Sequence, residues 1–206
     1  MIPILVLSAA LGLSGETGGL PRWTAVLEPD YPADSEDFAV LFGAGCSLGC
    51  ALDWSFAATS TLAPCDGITY GISNIDDISP STAWAEGADG PGIHECIAIL
   101  FADYPGTVRE TGAGVNFNGM TIQNGCARDE ATWSANGRVR ELALYLDSEP
   151  VGIVELLDSM RPQSVYWTPP LYVADGDVFR LEILSVYEGD LYDDTALSGM
   201  MLWGAH

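Results

Sequence analysis

The sequence predicts an all-β domain: two sheets of short strands packed as a sandwich. Three observations carry that expectation. Arg140 to Asp147 alternates, with Leu142, Leu144 and Leu146 on one side and Glu141, Ala143 and Tyr145 on the other. That is the period of a strand with one face in a core and one in water. From Leu52 onward, apolar runs recur at short intervals between turn clusters such as APCDG, EGADGPG, DYPG and ADGD, the rhythm of a sandwich or barrel. No segment sustains a 3.6-residue apolar period over a dozen positions, so long helices are not expected.

Taken in order, residues 1–15 form an apolar run that ends in small residues before Glu16. This has the length and ending of a secretory signal peptide, although no Lys or Arg precedes the run. Residues 16–51 read as an arm, acidic and Pro-bearing through LEPDYPADSED, then Gly-rich through FAVLFGAGCSLGC. The sandwich itself is expected over 52–206. Its strands are Asp53–Ala57, Glu95–Phe101, Gly114–Asn118, Met120–Gln123, Arg138–Asp147, Val151–Leu157, Ser164–Tyr166, Val178–Val186 and Ala196–Trp203. Leu142, Leu144, Leu146, Phe179, Leu181, Ile183, Ile97, Ile99 and Phe101 should interdigitate between the sheets. A short helix is expected at Asp129–Ala135, with Asp129 as N-cap and Asn136-Gly137 as its stop.

Composition narrows the partners. Seven basic residues, all Arg, stand against 29 acidic ones, a formal net charge of −22. Such a surface repels nucleic acid and anionic membranes, and keeps copies of the chain apart. No membrane insertion is expected, since no run of about 20 apolar residues follows the first residues. Enzyme signatures are missing too. HECIA at His94 lacks the second histidine of a zinc helix, and no GxSxG elbow or phosphate loop occurs. With so many acids, a pair such as Asp193-Asp194 says nothing about glycoside hydrolysis.

The polar stretch from Asn124 to Gly137 sets Trp133 between two Asn-Gly pairs. Trp133, Asn124, Asn136 and Arg138, with Asp129 beside them, are the candidate ligand-binding residues. An exposed aromatic ring stacks on the apolar face of a sugar, while amides and a guanidinium bond its hydroxyls. The structural alternatives are that Asn124 and Asn136 shape turns and that Arg138 pairs with Asp193 or Asp194. Trp84 is expected as a core plug under the loops. Asp76 and Asp77 should organise their own loop.

Five blocks in order resemble a known family: ISNIDDISPSTAW from Ile72, GPGIHECIAILF from Gly90, IQNGCARDEATWSANGRVRELALYLD from Ile122, VFRLEILSVYEG from Val178 and YDDTALSGMMLW from Tyr192. They look like the discoidin-like (coagulation factor type C) module, within it the NAD-glycohydrolase-type glycan-binding or translocation domain, over about Leu52 to Trp203. The resemblance implies a galactose-binding-like jelly-roll sandwich whose loops at one end form a ligand site. It implies recognition of glycan at a cell surface, with any NAD-cleaving part elsewhere. Such modules commonly hold a structural calcium. Asp77 and Thr82 match its ligands, whereas Ile78 replaces a glycine and Gly199 stands where a late acid is often found. For the five cysteines, a secreted chain favours disulfides. Cys96–Cys126 is the expected bridge, linking a strand start to the end of a neighbouring strand, and Cys46 or Cys50 with Cys65 is the next.

The expected function is therefore a non-catalytic carbohydrate-binding module of a secreted or cell-surface protein, with a free or surface glycan as partner and no cofactor beyond that calcium. The alternative is a structural or protein-interaction module on the same sandwich, and after it a small secreted glycoside hydrolase.

Overall fold

The computed structural model describes residues 19–29, 47–77, 79–107 and 113–205. The expected signal peptide, much of the 16–51 arm and Cys46 lie outside them. The strands are β1 (Arg22–Thr24), β2 (Val26–Leu27), β3 (Asp53–Ala58), β4 (Trp84–Ala85), β5 (Cys96–Ala102), β6 (Val115–Asn124), β7 (Gly137–Leu146), β8 (Glu149–Glu155), β9 (Gln163–Val173), β10 (Val178–Tyr187) and β11 (Thr195–Ala205). One short helix, α1 (Glu130–Ala135), joins β6 to β7.

The strands form two layers. One layer runs β9-β6-β11, and the other β8-β7-β10-β5-β3; a parallel pairing of Thr195 with Gly137 and Ala196 with Arg138 joins them. Ring contacts cross between the layers. Phe117 of β6 meets Phe179 of β10 at 5.1 Å and Phe101 of β5 at 5.8 Å, while Trp167 of β9 lies 6.0 Å from Phe179. The all-β sandwich expected from strand rhythm is the architecture observed, of the jelly-roll type.

Alternation fills the core. Phe179 pairs with Leu146 on one side and Ile99 on the other, and Leu181 likewise with Leu144 and Ile97. Each rung thus sends one apolar side chain per strand inward. All the expected core residues are buried except Leu146, which is half-buried. Trp84 is fully buried and donates its indole N–H to the Ser60 carbonyl at 3.1 Å, so it is the expected plug.

The differences from expectation have local causes. Gly114–Asn118 and Met120–Gln123 are one strand, β6, with a register shift between Phe117 and Gly119 that imitates a break in alternation. β9 continues past Tyr166 to Val173 through Pro169 and Pro170. The prolines fit because β2 covers β9 only at Gln163 and Ser164, and among the described residues no other strand pairs with that edge and needs its N–H groups. Within the arm, β1 pairs with β8 and β2 with β9.

The expected disulfides are corrected. Cys50, Cys65, Cys96 and Cys126 are all free thiols. β5 and β6 are not neighbouring strands, since β10, β7 and β11 separate them along the hydrogen-bonded path. The Cys96 thiol donates to the His94 carbonyl, and Cys126 packs among Ala83, Ala85 and Ala196. Burial pushes the Cys96 thiol up to about 11, and the Cys126 thiol upward as well, so both are poor nucleophiles. No helix among the described residues is long and apolar enough to cross a membrane.

A candidate ligand cleft at the loop end

Three connections meet where β6 ends and β7 and β11 begin: the β3–β4 loop, the segment carrying α1, and the β10–β11 loop. Between them lies a cleft of about 580 Å³. Asp66, Tyr70, Arg128, Thr132, Asn136, Tyr192 and Asp194 supply its polar and aromatic lining, with Leu191 on the rim and Cys65 and Cys126 among the smaller residues.

The rim is held by main-chain bonds. The Asp190 N–H donates to the Ser134 carbonyl at 2.9 Å, and the Leu191 and Tyr192 N–H groups donate to the Ala135 carbonyl at 3.1 and 2.9 Å. These carbonyls belong to the last turn of α1, where the helix offers them no N–H donor of its own. Gly189 allows this approach, because a Cβ there would come within 2.6 Å of the Ala135 oxygen. The lacing displays Leu191 and Tyr192 at 75% and 55% exposure.

The opposite end of α1 is capped as its sequence predicts. Asp129 Oδ1 accepts the Thr132 N–H at 2.7 Å, and the bond holds the carboxyl below its ordinary value. Asp129 sits on the outer surface of α1 beside Glu130, outside the cleft. Asn136 lines the cleft, its amide N–H donating to the Thr132 carbonyl at 2.7 Å.

The other expected site residues lie beneath the cleft and support it. Asn124 is fully buried. Its amide gives an N–H to the Val139 carbonyl at 2.7 Å and takes the Val139 N–H at 3.0 Å, closing a backbone-like pair with β7. Arg138 is 7% exposed and grips Asp158, with Nε and Nη2 at 3.0–3.1 Å from its oxygens; Nη1 donates to the Asn136 and Glu188 carbonyls. Its internal partner is therefore Asp158 rather than Asp193 or Asp194. Trp133 is half-buried. Its indole N–H donates to the Asn124 carbonyl at 2.9 Å, and the Arg138 guanidinium lies 4.6 Å from its ring. Gly125, at φ +77°, lets the ring approach, because a Cβ there would meet both Trp133 and Arg138 at 2.7 Å. Asn124 and Arg138 thus offer no free polar group to a ligand, and Trp133 props α1 from the side away from the cleft.

Sequence reasoning missed Tyr70, Arg128, Leu191, Tyr192 and Asp194. A usable signal was present in EGDLYDD, where a leucine and a tyrosine sit in an acidic turn with no strand period to bury them. Arg128 donates through Nε to the Ser81 carbonyl at 3.4 Å, and its terminal nitrogens make no further hydrogen bond among the described residues. Buried Glu86 was also missed. It accepts the Ala88 and Thr195 N–H groups and pins the start of β11.

Asp77 and Thr82 do come together, but with each other. The Thr82 hydroxyl donates to the Asp77 carboxylate at 2.9 Å, and the Ser79 N–H donates to Oδ1. Calcium takes six to eight oxygens. One carboxylate already holding its loop does not fit that demand, and no cluster of three metal-binding side chains occurs among the described residues. His94, the remaining enzymatic candidate, is outside the cleft and pairs with Glu182 at 2.9 Å.

Burial raises the carboxyls of Glu86, Asp194 and Asp76 above their ordinary values. The folded state then binds protons more readily than the unfolded one, so stability falls as pH rises from the ordinary carboxylate range through these raised values. Asp129 and Glu141 have the opposite sign, because hydrogen bonds from Thr132 and Arg22 lower them. Their stabilisation is lost as pH falls below that range. The melting temperature should therefore peak on the acid side of neutrality in a calorimetric series from about pH 4 to 8. A steady climb to the alkaline end would contradict these assignments.

Residues 50–203 match the family described as the NAD glycohydrolase translocation F5/8 type C domain. The chain belongs to this family. The family is named for a translocation domain, not for a catalytic one. Among solved structures, the chain is similar to the CBM32-1 and CBM32-2 domains of ZmpB from Clostridium perfringens, at TM-score 0.55 and 10% identity over 93% of this chain and 43% of that one. The same domains in complex with GalNAc give TM-score 0.55 and 11% identity over 92% and 45%. The chain thus spans less than half of that two-domain protein, and the likeness is one of fold. A search of curated protein sequences returned no match. The discoidin-like (coagulation factor type C) resemblance read from the sequence blocks is the family that the match assigns.

Proposed function

We propose that this module binds glycan without catalysing a reaction, as part of a secreted or cell-surface protein, and that the loop-end cleft is its site. One observation carries the reading: a cleft of sugar-sized volume whose rim displays Tyr192 beside Arg128, Asn136 and Asp194. A tyrosine face stacks on the apolar face of a pyranose, and the guanidinium, amide and carboxyl groups bond its hydroxyls. The GalNAc complex of a neighbour with the same fold supports this choice of ligand class. Among the sequence-expected residues, Asn136 is the direct contact. Trp133, Asn124 and Arg138 act by holding the wall in place.

A glycan array that includes galactose- and GalNAc-terminated sugars tests the reading. The wild type should retain a subset of them, and Tyr192→Ala and Arg128→Ala should each weaken binding about tenfold at unchanged melting temperature. An empty array, or variants that bind like the wild type, would remove the cleft as the site.

A further inference from the structure

The strands β9, β6 and β11 contain no Asp, Glu, Arg or Lys. In a chain of net charge −22, this entire sheet is neutral, while the facing sheet carries Arg140, Glu141, Arg180 and Glu182. Two large aromatic side chains stand on its outer surface, Tyr166 at 52% and Tyr172 at 56% exposure. Each ring is backed by a glycine, Gly119 within β6 and Gly114 immediately before it. A Cβ on Gly119 would come 2.7 Å from Tyr166 Cδ1, and one on Gly114 would come 2.8 Å from Tyr172 Cε1. The Tyr172 hydroxyl also accepts the Gly114 N–H at 2.6 Å. The rings are thus seated on main chain and still more than half open. Asn116, paired across from Tyr172, is exposed, and Asn118 is half-exposed.

We propose that this outer face is a second carbohydrate site, which takes an extended, uncharged polysaccharide with Tyr166 and Tyr172 as its platforms. The two rings are six positions apart in sequence, but β9 bulges between them and their β6 partners, Gly119 and Asn116, are three residues apart. The platforms therefore lie about 10 Å from each other along the sheet, a span for neighbouring sugar units of one chain. Pyranose faces stack on seated rings, and Asn116 and Asn118 can pair with hydroxyls. A protein strand is the poorer occupant. Pro169 and Pro170 lie exposed between the two tyrosines and remove two N–H groups from a stretch of edge that no strand covers among the described residues. The absence of charge points away from ionic partners. None of these residues lines the loop-end cleft, so the two sites can be tested apart.

The experiment is depletion of the full chain from solution by microcrystalline cellulose, chitin and mannan. Retention is expected on at least one of them, unchanged up to about 1 M salt because no ion pairs are involved. The Tyr166→Ala/Tyr172→Ala double variant should lose about tenfold or more in affinity, while Tyr192→Ala at the cleft should lose none. Asn116→Asp keeps both rings and adds a charge to the face; it should also weaken retention, and it decides the matter if the double variant folds poorly. Absence of retention on all three polymers, salt-sensitive retention, or retention that survives the deciding variant would overturn the proposal. Loss of retention in Tyr192→Ala alone would assign the polymer to the cleft instead.

Discussion

Replacing Arg138 with methionine should lower the free energy of unfolding by about 3 kcal/mol, read from urea denaturation. Methionine keeps the apolar stem and removes the guanidinium. The guanidinium directs all its N–H groups to acceptors: the Asp158 carboxylate and the Asn136 and Glu188 carbonyls. Those carbonyls belong to the end of α1 and the start of the β10–β11 loop, so the substitution removes the tie between two walls of the cleft. The side chain of Asp158 is 40% exposed and rehydrates when left alone, which keeps the effect at the low end for a broken buried pair. Arg138→Lys should recover less than half, because an ammonium cannot span a carboxylate and two carbonyls in one plane. A loss below about 1 kcal/mol in the methionine variant would show that the network is not coupled to folding.

Trp133→Ala should cost about 2 kcal/mol, the loss of a half-buried ring, its hydrogen bond to Asn124 and its contact with the Arg138 guanidinium. Glycan affinity should fall along with melting temperature, because α1 loses its prop and Thr132 and Asn136 shift with it. Trp133→Phe separates support from contact: it should retain most of the stability and most of the affinity. If Trp133→Phe melted normally but bound nothing, the indole would be touching sugar and the assignment of Trp133 to support would fail.

What the sequence shows and hides follows from the range of each interaction. β5, β7 and β10 were legible because a period of two within one strand suffices to name their buried side, and α1 because its cap is three residues from the group it satisfies. β9 was truncated because its prolines are acceptable only on an edge, a fact of neighbours. The Cys96–Cys126 bridge was wrong for a similar reason: strand adjacency is set by topology and not by order along the chain. Asn124 and Arg138 looked like ligand contacts because polar groups beside glycines usually sit in open turns. Their partners, Val139 and Asp158, are 15 and 20 residues away. Tyr192 escaped notice because a turn rich in acids resembles ordinary solvated surface.

The β10–β11 loop is attached to α1 through main-chain atoms, with Gly189 as its one demanding position. Side chains at 191 and 192 are therefore left out of the scaffold's own accounts. Substitutions at these two positions should leave the architecture beneath intact, so the chemistry of this rim is free to drift faster than stability.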